Sequence, residues 1–444
     1  MGPIRFFRSP AAAGLVAVLV TVAVPATPAL AVPAATGTFS VLSYNIAGLP
    51  EGLSSGSPQA NTPIIAQRIR PYDVVHVQED FNHHASLYAN NTHPFRTPTS
   101  GGAAFGDGLN TLSTYPYSDL ARDDWNACNG TDCLTPKGFT WSRKRLAEGV
   151  YIDFYNLHPN AGSTDADLAA RRANITEIST FIAANSVGNA VVVAGDTNTR
   201  FTRAGDNIRE LLAANGLTDA WVQEQRGGVP PVAGSPALVC DDTAVTDACE
   251  VVDKILYRGN RYVTLTLTSY RNENAAFRTA TGAMLSDHYP IAADFRWTLN
   301  PALSLSDTFG GPHGTAFTDV DAVPAGQRVT RLRLRAGSRV DGLGITTANG
   351  VSYDHGGQGG TLSTLELGAG EHITAVALQT GQVGGRTRVF HARFVTNLGR
   401  TLAGGTSTSS SVTYTAPTGW QISGFHGRSG EGIDKLGAIY TRVP

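Results

Sequence analysis

Apolar and polar residues alternate along Phe39-Ser40-Val41-Leu42-Ser43-Tyr44, the period-2 signature of a half-buried strand. Val74-Val75-His76-Val77 reads as a buried strand that ends at Gln78-Glu79-Asp80. Further strands are expected from Gly149 to Leu157, running into His158, and from Val191 to Ala194, running into Gly195-Asp196-Thr197-Asn198. Val251 to Tyr257, Tyr262 to Tyr270 and Ile291 to Trp297 complete the set. Between them the pattern turns helical. Thr62-Pro63 predicts a short helix, Thr as N-cap and Pro at N1, with Ile64, Ile65 and Ile69 on one side. Ser163 or Thr164 caps a longer one in which Leu168, Ile175, Ile178 and Ile182 recur at helical spacing, ending near Gly188. A third runs from Asn207 to Ala214 and closes on Asn215-Gly216. Strands outnumber helices in a mixed order, which predicts an α+β sandwich of two sheets with helices outside.

The pattern changes after Asn300-Pro301. From there the chain is rich in Gly and Thr, with short alternating runs such as Val329 to Leu334 and Ile373 to Leu378. Short strands with regular turn signals mark an all-β domain. The chain of 444 residues is therefore divided into a first domain over 32–300 and a second over 301–444. Residues 1–31 carry Arg5 and Arg8, an apolar run from Ala11 to Val24, and the small-residue triplet Ala29-Leu30-Ala31. That order is a secretory signal peptide, and the run is too short to span a bilayer. The expectation is a secreted, extracellular protein without a transmembrane segment.

Export agrees with the cysteines. Cys128 lies close to Cys133, and Cys240 to Cys249, so two local disulfides are the natural pairing in an oxidising compartment. A zinc site is the rival, against which stand the missing C-x-x-C spacing and the lack of a His cluster. A formal net charge of -2 excludes a strongly basic nucleic-acid module overall. Arg143-Lys144-Arg145 is the tight basic cluster of the first domain, and a solvated hairpin is its simplest explanation.

Candidate chemistry gathers where apolar runs end. Asn45, Glu79, His158, Asp196, Asn198, Asp253 and the pair Asp287-His288 each follow such a run. Side chains at strand ends can converge on one rim of a sandwich. An Asp beside a His can hold the imidazole in one tautomer, which suits activation of water and stabilisation of a phosphoryl transition state. One carboxylate plus an amide suits Mg²⁺, which keeps most of its waters, with Mn²⁺ able to substitute.

In this order Ser43-Tyr44-Asn45, Val77-Gln78-Glu79, His158, Gly195-Asp196-Thr197-Asn198, Val252-Asp253-Lys254 and Ser286-Asp287-His288 resemble the motifs of the endonuclease/exonuclease/phosphatase superfamily. The resemblance implies a four-layer αββα sandwich and a divalent metal. It makes Glu79 the main metal ligand with Asn45 close by, and His288, oriented by Asp287, the base on water or a partner of the phosphate. Asp196 and Asn198 would position the nucleophile, His158 would donate to a phosphate oxygen, and Asp253 would support the site or the leaving group. The segments Gly106 to Pro116 and Cys128 to Phe139 are similar to those of bacterial sphingomyelinases. The Asn-Trp-Gly element found there after the first strand is replaced by Ile46-Ala47-Gly48.

From Ser306 onward the chain resembles a jacalin-related lectin. The matching pieces are Phe309 to Phe317, Asp354 to Thr361, Leu367 to Thr374 and the run Ile422 to Gly437. This implies a β-prism of three four-stranded sheets, with a sugar held between Gly311 and the Gly430 to Asp434 loop. Gly432 stands where such lectins often place an aromatic, and His313 interrupts the N-terminal Gly loop. The combined expectation is a secreted Mg²⁺-dependent phosphodiesterase of sphingomyelinase or phospholipase C type, targeted to cell-surface or matrix glycans. An extracellular DNase on the same site and a catalytically inert glycan-binding protein are the alternatives.

Overall fold

The computed structural model describes Gly2, residues 35–100 and residues 106–444. Apart from Gly2, the expected signal segment lies outside the described residues. The described residues from 35 onward belong to one compact unit. Its first part contains two six-stranded sheets. Thr36–Asn45 lies near the centre of one, parallel to Val74–Gln78 and antiparallel to Ile291–Leu299. Val150–His158 and Ala190–Asp196 run parallel in the other, and Asp253–Arg258 pairs antiparallel with Ala190–Asp196. Phe39 meets Phe154 across the gap with ring centroids 6.0 Å apart.

The period of two decides what each strand end presents. Along Thr36–Asn45, Phe39 and Val41 join the core between the sheets, whereas Leu42 and Tyr44 face the helices with Ile65, Ala66 and Ile69. Asn45 is in phase with Phe39 and Val41, so it ends the inward row. The same parity carries Ile152 and Phe154 to His158, and Val192 and Ala194 to Asp196. Thus the polar residues that close these apolar rows fall on one rim.

The helix Asp165–Asn185 packs Ile175, Ile178 and Ile182 on the second sheet. Thr164 caps it in a capping box with Asp167. The first helix spans Pro58–Arg68, beginning five residues earlier than Thr62-Pro63 predicts. Pro58 takes the first turn, where a missing N–H costs nothing, and Pro63 is left inside the helix. Among the described residues no helix is long and apolar enough to cross a membrane.

After Asn300 the chain is all strand: one five-stranded and two four-stranded sheets. The five-stranded sheet differs from the expected four because Leu303–Leu305 adds itself beside Ile433–Arg442 at the junction. The two parts are bolted together by ions and hydrogen bonds. Asp307 accepts from Arg145 Nε at 2.8 Å, the Gly149 N–H at 2.9 Å and the Tyr151 hydroxyl at 2.9 Å. Lys435 Nζ reaches Asp119 at 2.5 Å, both side chains almost wholly buried.

This overturns the solvated-hairpin reading of Arg143-Lys144-Arg145. All three lie on the strand Gly138–Ala147, with Arg143 and Lys144 buried. Arg143 is bound through two nitrogens to Asp153. Lys144 stacks on Tyr117 and Phe154, and burial lowers its pKa to about 7. Arg145 holds the junction. Each charge is answered across a strand or across the junction, where sequence order does not show it.

Candidate functional site

Asn45 is the hub of the first part. Its Nδ2 donates to Glu79 Oε1 at 3.0 Å and to Asp196 Oδ2 at 3.1 Å, while its Oδ1 accepts from the Ala47 N–H at 3.0 Å. The amide oxygen is thereby turned from the cavity. In this arrangement the Asn45 amide ties the two carboxylates together. Glu79 sits just beyond its strand with a φ of 56°, so its carboxylate swings toward the other sheet.

His158 closes the adjoining row. Its Nε2 lies 3.3 Å from Asp196 Oδ2, 3.9 Å from Glu79 Oε1 and 3.3 Å from Lys137 Nζ. Burial, reinforced by Lys137, lowers its pKa to about 3, so the ring is neutral and donates through one nitrogen only. Lys137 was not among the candidates. It sits after the loop pinned by Cys128–Cys133 and is steered by Asp132 at 2.6 Å. The available signal was a lysine inside the segment resembling sphingomyelinases. Asn198 donates its backbone N–H to Asp196 Oδ1 at 2.9 Å, and its amide is turned to the Pro159 carbonyl at 3.2 Å.

His288 places Nδ1 3.0 Å from Asp253 Oδ2 and Nε2 3.6 Å from Asp196 Oδ2. The carboxylate that orients it is Asp253, not the neighbouring Asp287. Asp253 and Asp196 are opposed in register across two strands, so both reach inward. Asp287 is exposed, accepts from the Ser286 hydroxyl at 3.3 Å, and lines the mouth of the pocket. Burial disfavours charge on His288, yet Asp253 and Asp196 outweigh it and hold its pKa well above the ordinary range. A cleft of about 220 Å³ opens here between Arg200, Val239, Tyr289 and the Cys240–Cys249 bridge.

Glu79, Asp196 and Asp253 thus crowd one site, with Lys137, His288 and Arg200 among the cations beside them. Burial pushes the carboxyls of Glu79 and Asp253 upward, with Asp196 adding to both, whereas His288 and His158 outweigh burial at Asp196 and lower its pKa to about 2. Ligand atoms of Asp196, Asp253 and His288 all lie within 4.8 Å of one another. Clustered carboxylate oxygens are the donors a hard divalent cation takes.

In the second part the two loops named from sequence meet. The Gly311 N–H donates to the Asp434 carbonyl at 2.8 Å, and a Cβ on Gly311 would lie 2.3 Å from the Thr387 carbonyl oxygen. Gly311 therefore supplies close packing, and its N–H is not free for a sugar. The Gly430 N–H closes its own loop onto the Gly432 carbonyl at 3.0 Å. Asp434 is buried, with Arg388 Nε 3.4 Å from its Oδ1.

Residues 61–225 match the endonuclease/exonuclease/phosphatase family 2, and residues 306–439 match the jacalin-like lectin domain. The sphingomyelinase of Mycobacterium tuberculosis (strain ATCC 25618 / H37Rv) is 40% identical over 271 residues, covering 59% of this chain and 53% of that protein. The chain spans about half the length of the curated sphingomyelinases it matches. Horcolin of Hordeum vulgare is 27% identical over 134 residues, 29% of this chain and 92% of horcolin. Among solved structures, sphingomyelinase C from Streptomyces griseocarneus superposes with a TM-score of 0.42 at 20% identity, covering 58% of this chain and 99% of that chain.

Proposed function

We propose, for a chain that carries an endonuclease/exonuclease/phosphatase domain followed by a jacalin-like lectin domain, a secreted phosphodiesterase acting on a sphingomyelin-type phospholipid near glycan-bearing surfaces. The observation that carries it is the convergence of Glu79, His158, Asp196, Asp253 and His288 on one pocket, laced through the Asn45 amide. Glu79, with Asp196 linked to it through the Asn45 amide, would hold a divalent cation, Mg²⁺ by its preference for few carboxylates and several waters. A bound Mg²⁺ would neutralise phosphate charge and offset the carboxylates that otherwise keep His288 protonated.

The chain's own groups account for the remaining steps. The His288–Asp196 couple receives the proton of the attacking water, and Asp253 fixes the imidazole from behind. The Lys137 ammonium and the neutral His158 ring lie where donors to a non-bridging phosphate oxygen are needed.

Two observations favour lipid over nucleic acid. Arg143 and Lys144 are buried and paired or stacked, so they present nothing to a phosphate backbone. Exposed aliphatic side chains are Val239 on the cleft, Leu53 in the loop tied to Ala47, and Leu134 three residues before Lys137. The test is a panel of sphingomyelin vesicles, plasmid DNA and bis-p-nitrophenyl phosphate. Hydrolysis of vesicles with DNA left intact is expected; DNA cleavage without lipid turnover would replace this reading by the nuclease one. Leu53→Asp should cut the ratio of vesicle to soluble-substrate rates by roughly tenfold, the effect of withdrawing about 1.5 kcal/mol of apolar burial. An unchanged ratio would remove Leu53 from the lipid contact.

A further inference from the structure

The sugar loop of the lectin part is built around cations. Arg388 approaches Asp434 Oδ1 at 3.4 Å, too far for a hydrogen bond. Its Nε and Nη1, together with Asp434 Oδ1 and Arg339 Nε, are buried without a hydrogen-bond partner, Arg339 Nε standing 3.4 Å from Asp341 Oδ1. Such groups are costly unless something completes them, and a cluster of them beside a binding loop points to a missing ligand. Arg339 has a second peculiarity. Its Nε would lie 3.1 Å from a Cβ on Gly432, so the guanidinium fills the space a side chain at 432 would take. A planar cation therefore stands where an aromatic platform would otherwise be available. His313, from the facing Gly loop, also acts on the Asp434 carboxyl, which burial nonetheless raises. Arg428 is directed elsewhere, donating to the His313 and Gly314 carbonyls.

A neutral sugar offers hydroxyls, which a carboxylate accepts well but which bring no countercharge to Arg388 and Arg339, whose ion pairs to Asp434 and Asp341 are both 3.4 Å long. A carboxylate or sulfate on the sugar matches the fork in charge and planarity. Resting on the lectin reading above, we propose that this site selects glycans bearing a carboxylate or sulfate, with Arg388 and Arg339 as the groups that recognise the acid. Asp434 retains the role of accepting hydroxyls from the same residue.

Isothermal titration calorimetry of the full chain with methyl α-mannoside, glucuronic acid, N-acetylneuraminic acid and a heparin disaccharide tests it and separates carboxylate from sulfate. At least one acidic ligand is expected to bind tenfold or more tighter than the mannoside. That binding should weaken with added NaCl and fall at least tenfold in Arg388→Gln, with thermal unfolding confirming that the variant is folded. Should Arg388→Gln fail to fold, Arg339→Gln and the salt dependence of the unaltered chain carry the decision. Equal or tighter binding of the mannoside overturns the acidic specificity and leaves the lectin reading standing. Binding of none of the four overturns both.

Discussion

His288→Ala is expected to lower kcat on a phosphodiester by about a thousandfold, within the range that loss of a positioned proton acceptor produces. The imidazole stands beside two buried carboxylates, Asp253 at 3.0 Å and Asp196 at 3.6 Å. Alanine removes the acceptor and leaves Asp196 with Asn45, His158 and the Asn198 N–H but no imidazole to pass a proton to. Asp253→Asn should lower kcat less, by about tenfold or more, because the ring remains but the amide no longer holds Nδ1 protonated in the same way. Asp287→Asn should have the smallest effect of the three, since Asp287 is exposed at the pocket mouth. Steady-state rates on bis-p-nitrophenyl phosphate, with circular dichroism to confirm folding, decide the order. An Asp287→Asn enzyme as impaired as Asp253→Asn would restore the sequence-adjacent pair as the working couple.

The second large effect is on stability. Asp119→Ala should destabilise the chain by about 3–5 kcal/mol, because it strands a buried cation. Asp119 answers Lys435 at 2.5 Å and stands 3.8 Å from Arg428, all three from the junction of the two parts. Burial lowers the pKa of Lys435, and the Asp119 carboxylate works against that loss. The double variant Asp119→Leu with Lys435→Met should recover most of the loss, since replacing both members of a buried pair by apolar groups is often neutral or stabilising. Denaturant unfolding of the three proteins checks this. A single variant as stable as the parent would show that the junction is wetter than its geometry implies.

Much of this architecture is legible in the chain because period-2 alternation both predicts a strand and fixes which way its last residue points. Asn45, His158 and Asp196 could be singled out for that reason. The partner of His288 was not legible: Asp287 is its neighbour in sequence, whereas Asp253 reaches it only through the pairing of Asp253 with Asp196 across the sheet. Lys137 was missed because a loop residue has no periodic phase, and its place depends on the Cys128–Cys133 bridge and on Asp132. Arg143, Lys144 and Arg145 misled in the opposite sense. A run of charge on a strand alternates faces, and Asp153, the Tyr117 and Phe154 rings and Asp307 that receive it come from distant positions. The start of the first helix slipped because two prolines compete for its first turn, and pattern alone does not rank Pro58 above Pro63.

The most direct test of the central claim follows turnover of sphingomyelin vesicles by the full chain after removal of metal with EDTA, then on titration with Mg²⁺, in water enriched in ¹⁸O. The account predicts no turnover in EDTA and recovery with Mg²⁺. It further predicts one ¹⁸O in the released phosphocholine, and no recovery in Glu79→Ala at the same Mg²⁺ concentration. Turnover that persists in EDTA, or full recovery by Glu79→Ala, would contradict it.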